Sequence, residues 1–168
     1  MSHAVPTLHL LCGKVASGKS TLAAELSRHN LAVLISEDQW LSALFGDEMS
    51  SLQDYVRCAS KLGQIMGPRV TSMLVAGVSV VLDFPANTLE NRRWARGLIK
   101  GTGAAQILHF LDVPDEVCLN RLHGRNKEGA HAFATTDDQF RRIARHFVPP
   151  SPDEGFQIIT HPPKSGLK

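Results

Sequence analysis

Residues 13–20 read Gly13-Lys14-Val15-Ala16-Ser17-Gly18-Lys19-Ser20, a glycine-rich stretch of the pattern G-x-x-x-x-G-K-S. An apolar, strand-like run precedes it at residues 7–12, and a helical pattern follows it at residues 21–29. A loop in this position directs its backbone N–H groups, together with the N-terminus of the helix, towards an anion. An ordinary glycine-rich turn would not require these flanks, so the stretch predicts a nucleoside triphosphate site of the Walker A type.

The side chains of this loop have separate expected roles. Lys19 is expected to reach the β- and γ-phosphates and to act in catalysis, and the Ser20 hydroxyl is expected to ligate Mg²⁺. The residues that we expect to contact ATP are Gly13, Ala16, Ser17, Gly18, Lys19, Ser20 and Thr21. ATP and Mg²⁺ are therefore the predicted cofactors.

The composition is that of a single soluble globular domain covering residues 1–168, with 43% apolar and 20% charged residues. A net charge of +2 does not indicate the basic surface that binds nucleic acid. The three cysteines, at unrelated spacings, favour buried reduced thiols over disulfides. The chain start shows neither a signal peptide nor a membrane span, so we expect a cytoplasmic protein without a membrane partner. Its oligomeric state is not predicted.

Short apolar runs alternate with helical patterns along the chain. Such runs, without polar alternation, are typical of strands buried on both faces of a parallel sheet. The pattern predicts an α/β fold, a parallel sheet with helices on both faces. The expected strands are residues 7–12, 32–36, 78–83, 105–111 and 156–160, and the expected helices are residues 21–29, 39–45, 51–76, 88–99, 114–122 and 136–147.

Three local features qualify this pattern. Pro68 is expected to break or kink the helix at residues 51–76. Residues 124–135 are polar and contain glycine, which predicts a lid between two helices. Residues 162–168 are expected to form a flexible tail.

Two classes of nucleoside triphosphatase are disfavoured. A guanine-nucleotide switch would carry Asn-Lys-x-Asp after a strand, whereas Asn126-Lys127-Glu128-Gly129 lacks the aspartate and follows a helix. A motor or transport ATPase would end a strand in Asp-Glu, whereas here Asp83 is followed by Phe84. The remaining class is a compact phosphotransferase, in which a bound hydroxyl replaces water as the acceptor.

Carboxylates at two strand ends are the candidate partners of the phosphates. Asp38 follows the second strand, where the ligand crevice of a parallel sheet lies, and could act as general base; it could also cap the helix at residues 39–45, and Glu37 is a competitor. Asp83 ends the third strand and could hold Mg²⁺ through water, or be a solvated turn carboxylate before Pro85. Asn87 could contact substrate or cap the helix that follows.

Two arginines precede the lid. Arg121 and Arg125 are four residues apart on a predicted helix and so share a face. Guanidinium groups suit phosphate oxygens and could stabilise charge in the transition state. The alternative is a solvated basic face. Arg92, Arg93 and Arg96 are expected at the surface, whereas Arg57 and Arg69 lie on the segment expected to wall the acceptor pocket and could bind an anionic substrate.

With these motifs in order, the chain resembles the zeta-toxin and polynucleotide-kinase-like group of small P-loop kinases, especially its single-domain bacterial members described as ATP-binding proteins. The likeness extends from Leu8 to about Ile159. It implies a three-layer P-loop nucleoside triphosphate hydrolase fold, with a five-stranded parallel sheet of nucleoside-kinase type and a lid after the fourth strand. It also implies that Asp38 is the base and that Arg121 or Arg125 touches phosphate.

One departure from the pattern of polynucleotide kinases narrows the class of acceptor. Polynucleotide kinases have an arginine three residues after that aspartate to grip the substrate phosphate, whereas this chain has Leu41. We therefore expect an ATP-dependent kinase for a small metabolite or antibiotic-like acceptor, not for nucleic acid. A toxin-like nucleotide-sugar kinase, a polynucleotide 5′-kinase and a nucleotide-dependent binding module with weak ATPase activity stay open as alternatives.

Overall fold

Five parallel strands form one sheet in the order β2-β3-β1-β4-β5 within residues 4–129 and 135–163, the part of the chain that this computed structural model describes. The strands are β1 Thr7–Cys12, β2 Val33–Ser36, β3 Val80–Pro85, β4 Ala105–Leu111 and β5 Gln157–His161. All five lie within two residues of their predicted positions, and every pairing is parallel. The predicted α/β fold is confirmed.

Six helices connect or follow these strands in the described residues. They are α1 Lys19–Asn30, α2 Glu37–Phe45, α3 Leu52–Val75, α4 Leu89–Leu98, α5 Asp115–Glu128 and α6 Asp137–Ala144, with short 3-10 turns at Gly46–Glu48 and Pro152–Glu154. Side chains define several of their starts. Ser51 and Asp54 form a capping box at α3, and the Thr88 hydroxyl accepts the N–H of Asn91 at α4.

The two faces of the sheet bury different helices, which makes three layers. On β1, Leu8, Leu10 and Cys12 join a core with α3 and α4, while Leu11 joins a second core with Ala23 of α1 and Leu122 of α5. Burial on both faces explains why the strand sequences show no polar alternation. All three cysteines are buried and free, as predicted.

Pro68 does not break α3, which was predicted to stop or kink there. The apolar stripe Leu62, Met66, Val70 and Leu74 is buried along one face on both sides of the proline. Gly67 lies so close to α4 that a Cβ atom would meet Leu98 Cδ2 at 3.3 Å. Packing against α4 and the sheet therefore keeps the helix continuous despite the missing N–H.

The predicted end of the fifth helix at residue 122 is wrong, because α5 continues to Glu128, through the first residues of the predicted lid. Gly124 is exposed inside the helix, and the terminator is Gly129, with a left-handed φ of 63°. Residues 130–134 of the predicted lid and 164–168 of the predicted tail lie outside the described residues. No helix in the described ranges has both the length and the apolar character needed to cross a bilayer.

Candidate nucleotide and phosphoryl-transfer site

The glycine-rich loop links the end of β1 to the start of α1 through a tight backbone path. Ala16 and Gly18 adopt left-handed φ values of 59° and 103°. At Gly13 a Cβ atom would lie 2.5 Å from Ser17 Oγ and 3.1 Å from Leu111 Cβ. The loop therefore requires glycine at position 13 for space and favours it at position 18 for conformation.

Lys19 folds back over this loop. Its Nζ donates to the carbonyl oxygens of Gly13 and Lys14 at 2.6 and 2.8 Å. Burial lowers the pKa of Lys19, and the nearby carboxylates Asp83 and Asp38 act in the opposite direction. Within residues 4–129 and 135–163 no carboxylate forms an ion pair with it, so the charge of Lys19 is only partly compensated.

The loop also contains a hydroxyl group that lacks a partner. Ser17 is 4% exposed, and its Oγ is enclosed without a hydrogen-bond partner in the part of the chain that is described. Enclosed polar atoms are normally paired, and one left unpaired in a native site indicates a missing ion, water or ligand. An under-compensated cation, an orphaned hydroxyl and a helix N-terminus together fit the phosphates of a nucleoside triphosphate.

Ser20 and Asp83, the two predicted metal ligands, are brought together. Ser20 lies in the first turn of α1, and its side chain is close enough to Asp83 on β3, the strand next to β1, to lower the pKa of that carboxyl group. Burial raises the pKa of Asp83, against the lowering effects of Ser20 and Lys19. The described residues contain no cluster of three or more His, Cys, Asp or Glu side chains that could hold a metal. One hydroxyl and one carboxylate still suit Mg²⁺, which keeps several of its waters.

Glu37 and Asp38 occupy different environments at the start of α2. The helix begins at Glu37, two residues earlier than predicted, so Asp38 lies inside the first turn and does not cap it. Asp38 is exposed, and its charge is close enough to affect Lys19. Glu37 and Leu41 are four residues apart and share the buried face of α2.

Glu37 is a buried acid. It is 6% exposed, and the Tyr55 hydroxyl donates to its Oε2 at 2.7 Å. Burial raises the pKa of Glu37 to about 7, although the Tyr55 hydrogen bond lowers it. The sequence pattern pointed to Glu37 only as a competitor of Asp38, and gave no signal for Tyr55.

The two predicted lid arginines differ in their contacts. Arg121 Nη1 donates to the Ser17 carbonyl oxygen at 3.1 Å, so this side chain reaches the loop. Arg125 has an enclosed Nε atom without a partner in the described residues, and no contact brings it to the loop. The structure therefore places Arg121, and not Arg125, against the phosphate loop.

Asn87 supports the loop in a way that neither sequence interpretation anticipated. Its Oδ1 accepts the Gly13 N–H at 2.8 Å, while Thr88 caps α4. The Asn87 carbonyl oxygen accepts the N–H of Val148. Asn87 therefore ties the loop after β3 to both the phosphate loop and the segment before β5. Its position just after a strand was the one signal available.

Arg92 is buried, which corrects the prediction of a surface position. It is 0% exposed, and its Nε and Nη2 atoms donate to the Glu154 carboxylate at 2.6 and 2.9 Å. Its Nη1 donates to the carbonyl oxygens of Ala86 and Val148, both at 2.9 Å. This arginine joins the residues beside Asn87 to the segment before β5, and it has no place at the phosphates.

The sheet order and the loop define a kinase-like P-loop fold. The chain belongs to the AAA domain family AAA_33, which matches residues 8–150. No curated protein matches at the level of significance applied.

Solved structures show the same fold at low identity. A candidate kinase from Chloroflexus aurantiacus J-10-fl is 20% identical, with a TM-score of 0.76 over 95% of this chain and 89% of that one. A sugar kinase from Janibacter sp. HTCC2649 is 15% identical, with a TM-score of 0.66 over 97% and 88%. The APS kinase of Mycobacterium tuberculosis, solved with AMPPNP and APS, is 21% identical, with a TM-score of 0.63 over 96% and 90%.

Proposed function

We propose that this protein transfers the γ-phosphoryl group of ATP to a hydroxyl group of a small molecule, with Mg²⁺ bound. One observation carries the proposal: the exposed carboxylate of Asp38 lies at the end of β2, near Lys19 and the phosphate loop. A carboxylate in that crevice suits an acceptor hydroxyl. The strand beside the loop places Phe84, not a water-activating glutamate, after Asp83.

Each side chain then has one task. Asp38 takes the proton of the acceptor hydroxyl while the oxygen of that hydroxyl forms the new bond to the γ-phosphorus. The bond between the γ-phosphorus and the bridging oxygen breaks at the same time, and its electron pair stays on ADP. Lys19 and Arg121 offset the charge on the phosphoryl oxygens. Ser20 and Asp83 would hold Mg²⁺, which would supply positive charge against the phosphates.

Leu41 favours a small acceptor over a polynucleotide. It is 2% exposed and packs in the core, so the position where a polynucleotide kinase carries its phosphate-gripping arginine is closed. We also propose that the chain is a member of the zeta-toxin and polynucleotide-kinase-like group, and that Arg121 contacts phosphate.

Transfer from γ-labelled ATP to a panel of metabolites and antibiotics tests the proposal. Wild-type protein should label at least one acceptor, and Asp38→Ala should lower transfer by about 10²–10⁴-fold. Binding of Mg–ATP to Asp38→Ala should change little, because Asp38 contacts the acceptor. Asp47→Ala, which removes an exposed carboxylate beyond the end of α2, is the matched control.

Two results would count against this account. Transfer that persists in Asp38→Ala at the wild-type rate would remove Asp38 as the base. Tight ATP binding with no labelled acceptor would favour a nucleotide-dependent binding module.

A further inference from the structure

The carboxyl group of Glu37 is held in place on one side only. Tyr55 of α3 fixes its Oε2 atom, and among the described residues its Oε1 atom has no hydrogen-bond partner. Ser17 Oγ and Arg125 Nε are the fully enclosed side-chain atoms that lack a partner there, and Glu37 Oε1 is not one of them. This oxygen therefore keeps contact with solvent and can accept a hydrogen bond from a ligand.

Glu37 also lies beside the group assigned to the reacting hydroxyl. It precedes Asp38 in the first turn of α2, and both Asp38 and Asp83 are close enough to affect its pKa. Glu37, which Tyr55 positions, and the exposed Asp38 are consecutive, so each carboxyl group can accept a hydrogen bond from one of two neighbouring hydroxyl groups. A bound acceptor would cover the Glu37 Oε1 atom, and an acceptor atom that is covered without a hydrogen-bond donor is costly, which makes such a contact selective.

The charges on this side of the site disfavour an anionic acceptor. Leu41 replaces the basic residue expected for phosphate, and it is buried. Arg57, two residues after Tyr55, is exposed and paired with Asp54 at 3.1 Å. An acceptor that carries phosphate or carboxylate would therefore meet the Glu37 and Asp38 carboxyl groups without a compensating cation from this part of α3.

We propose that the acceptor is an uncharged polyhydroxyl compound, and that Glu37, positioned by Tyr55, binds the hydroxyl next to the one that Asp38 deprotonates. This inference rests on the proposed phosphotransfer. Glu37 is then a specificity residue whose removal weakens acceptor binding more than it slows transfer.

The wild-type protein gives the first test. Transfer from γ-labelled ATP is measured for D-glucose, D-ribose and myo-inositol, for 2-deoxy-D-glucose and 2-deoxy-D-ribose, and for the anionic acceptors UDP-N-acetylglucosamine and a 5′-hydroxyl oligonucleotide. We expect label on an uncharged polyol. Loss of the hydroxyl next to the labelled one should raise KM by about 10-fold or more, because the bound analogue covers Glu37 Oε1 without donating a hydrogen bond to it.

Variants give the second test. Glu37→Gln keeps the shape of the side chain and should raise KM for the polyol by about 10-fold, with kcat within about threefold. Tyr55→Phe should raise KM in the same direction but less. Glu48→Gln, an exposed position shortly after α2, is the matched control and should behave as wild type. If Glu37→Gln does not fold, the comparison of each sugar with its deoxy analogue decides.

The possible failures are distinguishable. Transfer to an anionic acceptor alone, or transfer that is equally good to a polyol and to its analogue without the hydroxyl next to the labelled one, overturns the role of Glu37 and leaves the phosphotransfer proposal standing. A Glu37→Gln protein with an unchanged KM for the polyol also overturns the role of Glu37. Transfer to no compound overturns both proposals.

Discussion

Lys19 and Arg92 both hold their charged groups away from solvent, and they differ in how completely those groups are paired. Arg92 directs its guanidinium to both oxygens of Glu154 and to two backbone carbonyl oxygens. Lys19 has two carbonyl oxygens and no ion-paired carboxylate in the described residues. Both positions are costly for a charge, but only Arg92 receives full compensation.

This difference separates a structural cation, Arg92, from the cation that we propose binds a ligand, Lys19. The Arg92 network joins α4 to the segment before β5 and uses four of the five guanidinium N–H donors within the protein. At the phosphate loop, Ser17 Oγ lacks a partner and Lys19 is under-compensated. Arg125 Nε is also enclosed without a partner in the described residues, so the site is marked by two features together: an unpaired hydroxyl and an under-compensated cation in the same loop.

Removing the structural cation should have the largest effect on stability. Arg92→Ala leaves Glu154 and two carbonyl oxygens without their donor, so we expect the free energy of unfolding to fall by about 3–5 kcal/mol. Urea denaturation measures this loss. Arg93→Ala, at the exposed neighbouring position, is the control and should stay within about 0.5 kcal/mol of wild type. A small loss in Arg92→Ala would show that the network is not structural.

A row of three histidines adds titratable groups that hydrogen-bond one another. His9 Nδ1 lies 3.1 Å from His109 Nε2, and His109 Nδ1 lies 3.0 Å from His161 Nε2. Burial, followed by the charges of His9 and His161, lowers the pKa of His109 to about 4. The unfolded chain therefore binds a proton near the ordinary pKa of 6.5, whereas the folded chain does not until about pH 4.

Stability should consequently fall as the pH drops from about 6.5 towards 4. We expect His109 to account for on the order of 2 kcal/mol between about pH 7 and pH 5. Glu37 opposes this trend, because its raised pKa makes the folded state bind protons first below about 7. The measurement is therefore the difference in unfolding free energy between wild type and His109→Gln at the two pH values, with His29→Gln as control. A difference that is independent of pH would contradict the assignment.

Removing the ligand-binding cation should cost little stability. Lys19→Met replaces an under-compensated ammonium group by an apolar side chain of similar length, so the free energy of unfolding should stay within about 1 kcal/mol of wild type or rise. The same denaturation experiment measures it beside Arg92→Ala. An equal loss in both variants would remove the distinction between them.

The smallest effect is expected at Ser17. Ser17→Ala deletes an enclosed hydroxyl that has no partner in the described residues, so stability should change by no more than about 0.5 kcal/mol in the ligand-free protein. With saturating Mg–ATP the variant should gain less stabilisation than wild type, which a thermal-shift assay detects. Equal stabilisation of the two proteins would show that the hydroxyl does not contact phosphate.

The sequence predicted those features that depend on local pattern. The loop at residues 13–20 and its flanking strand and helix are encoded within a short stretch, and the positions of Asp38 and Asp83 follow from strand ends. The Arg92–Glu154 pair joins positions 62 residues apart, which no periodicity reveals. The end of α5 could not be predicted because the sequence does not show whether Gly124 or Gly129 adopts the left-handed φ that ends the helix. The burial of Glu37 depended on where α2 begins.

The central claim is that the loop at residues 13–20 binds the phosphates of Mg–ATP through Lys19. Titration calorimetry of Mg–ATP into wild type, Lys19→Ala and the exposed control Lys61→Ala tests it most directly. We predict binding to wild type and Lys61→Ala, and affinity weakened by about 10²-fold or more in Lys19→Ala. The absence of heat with wild-type protein, or equal affinity in all three proteins, would contradict the account.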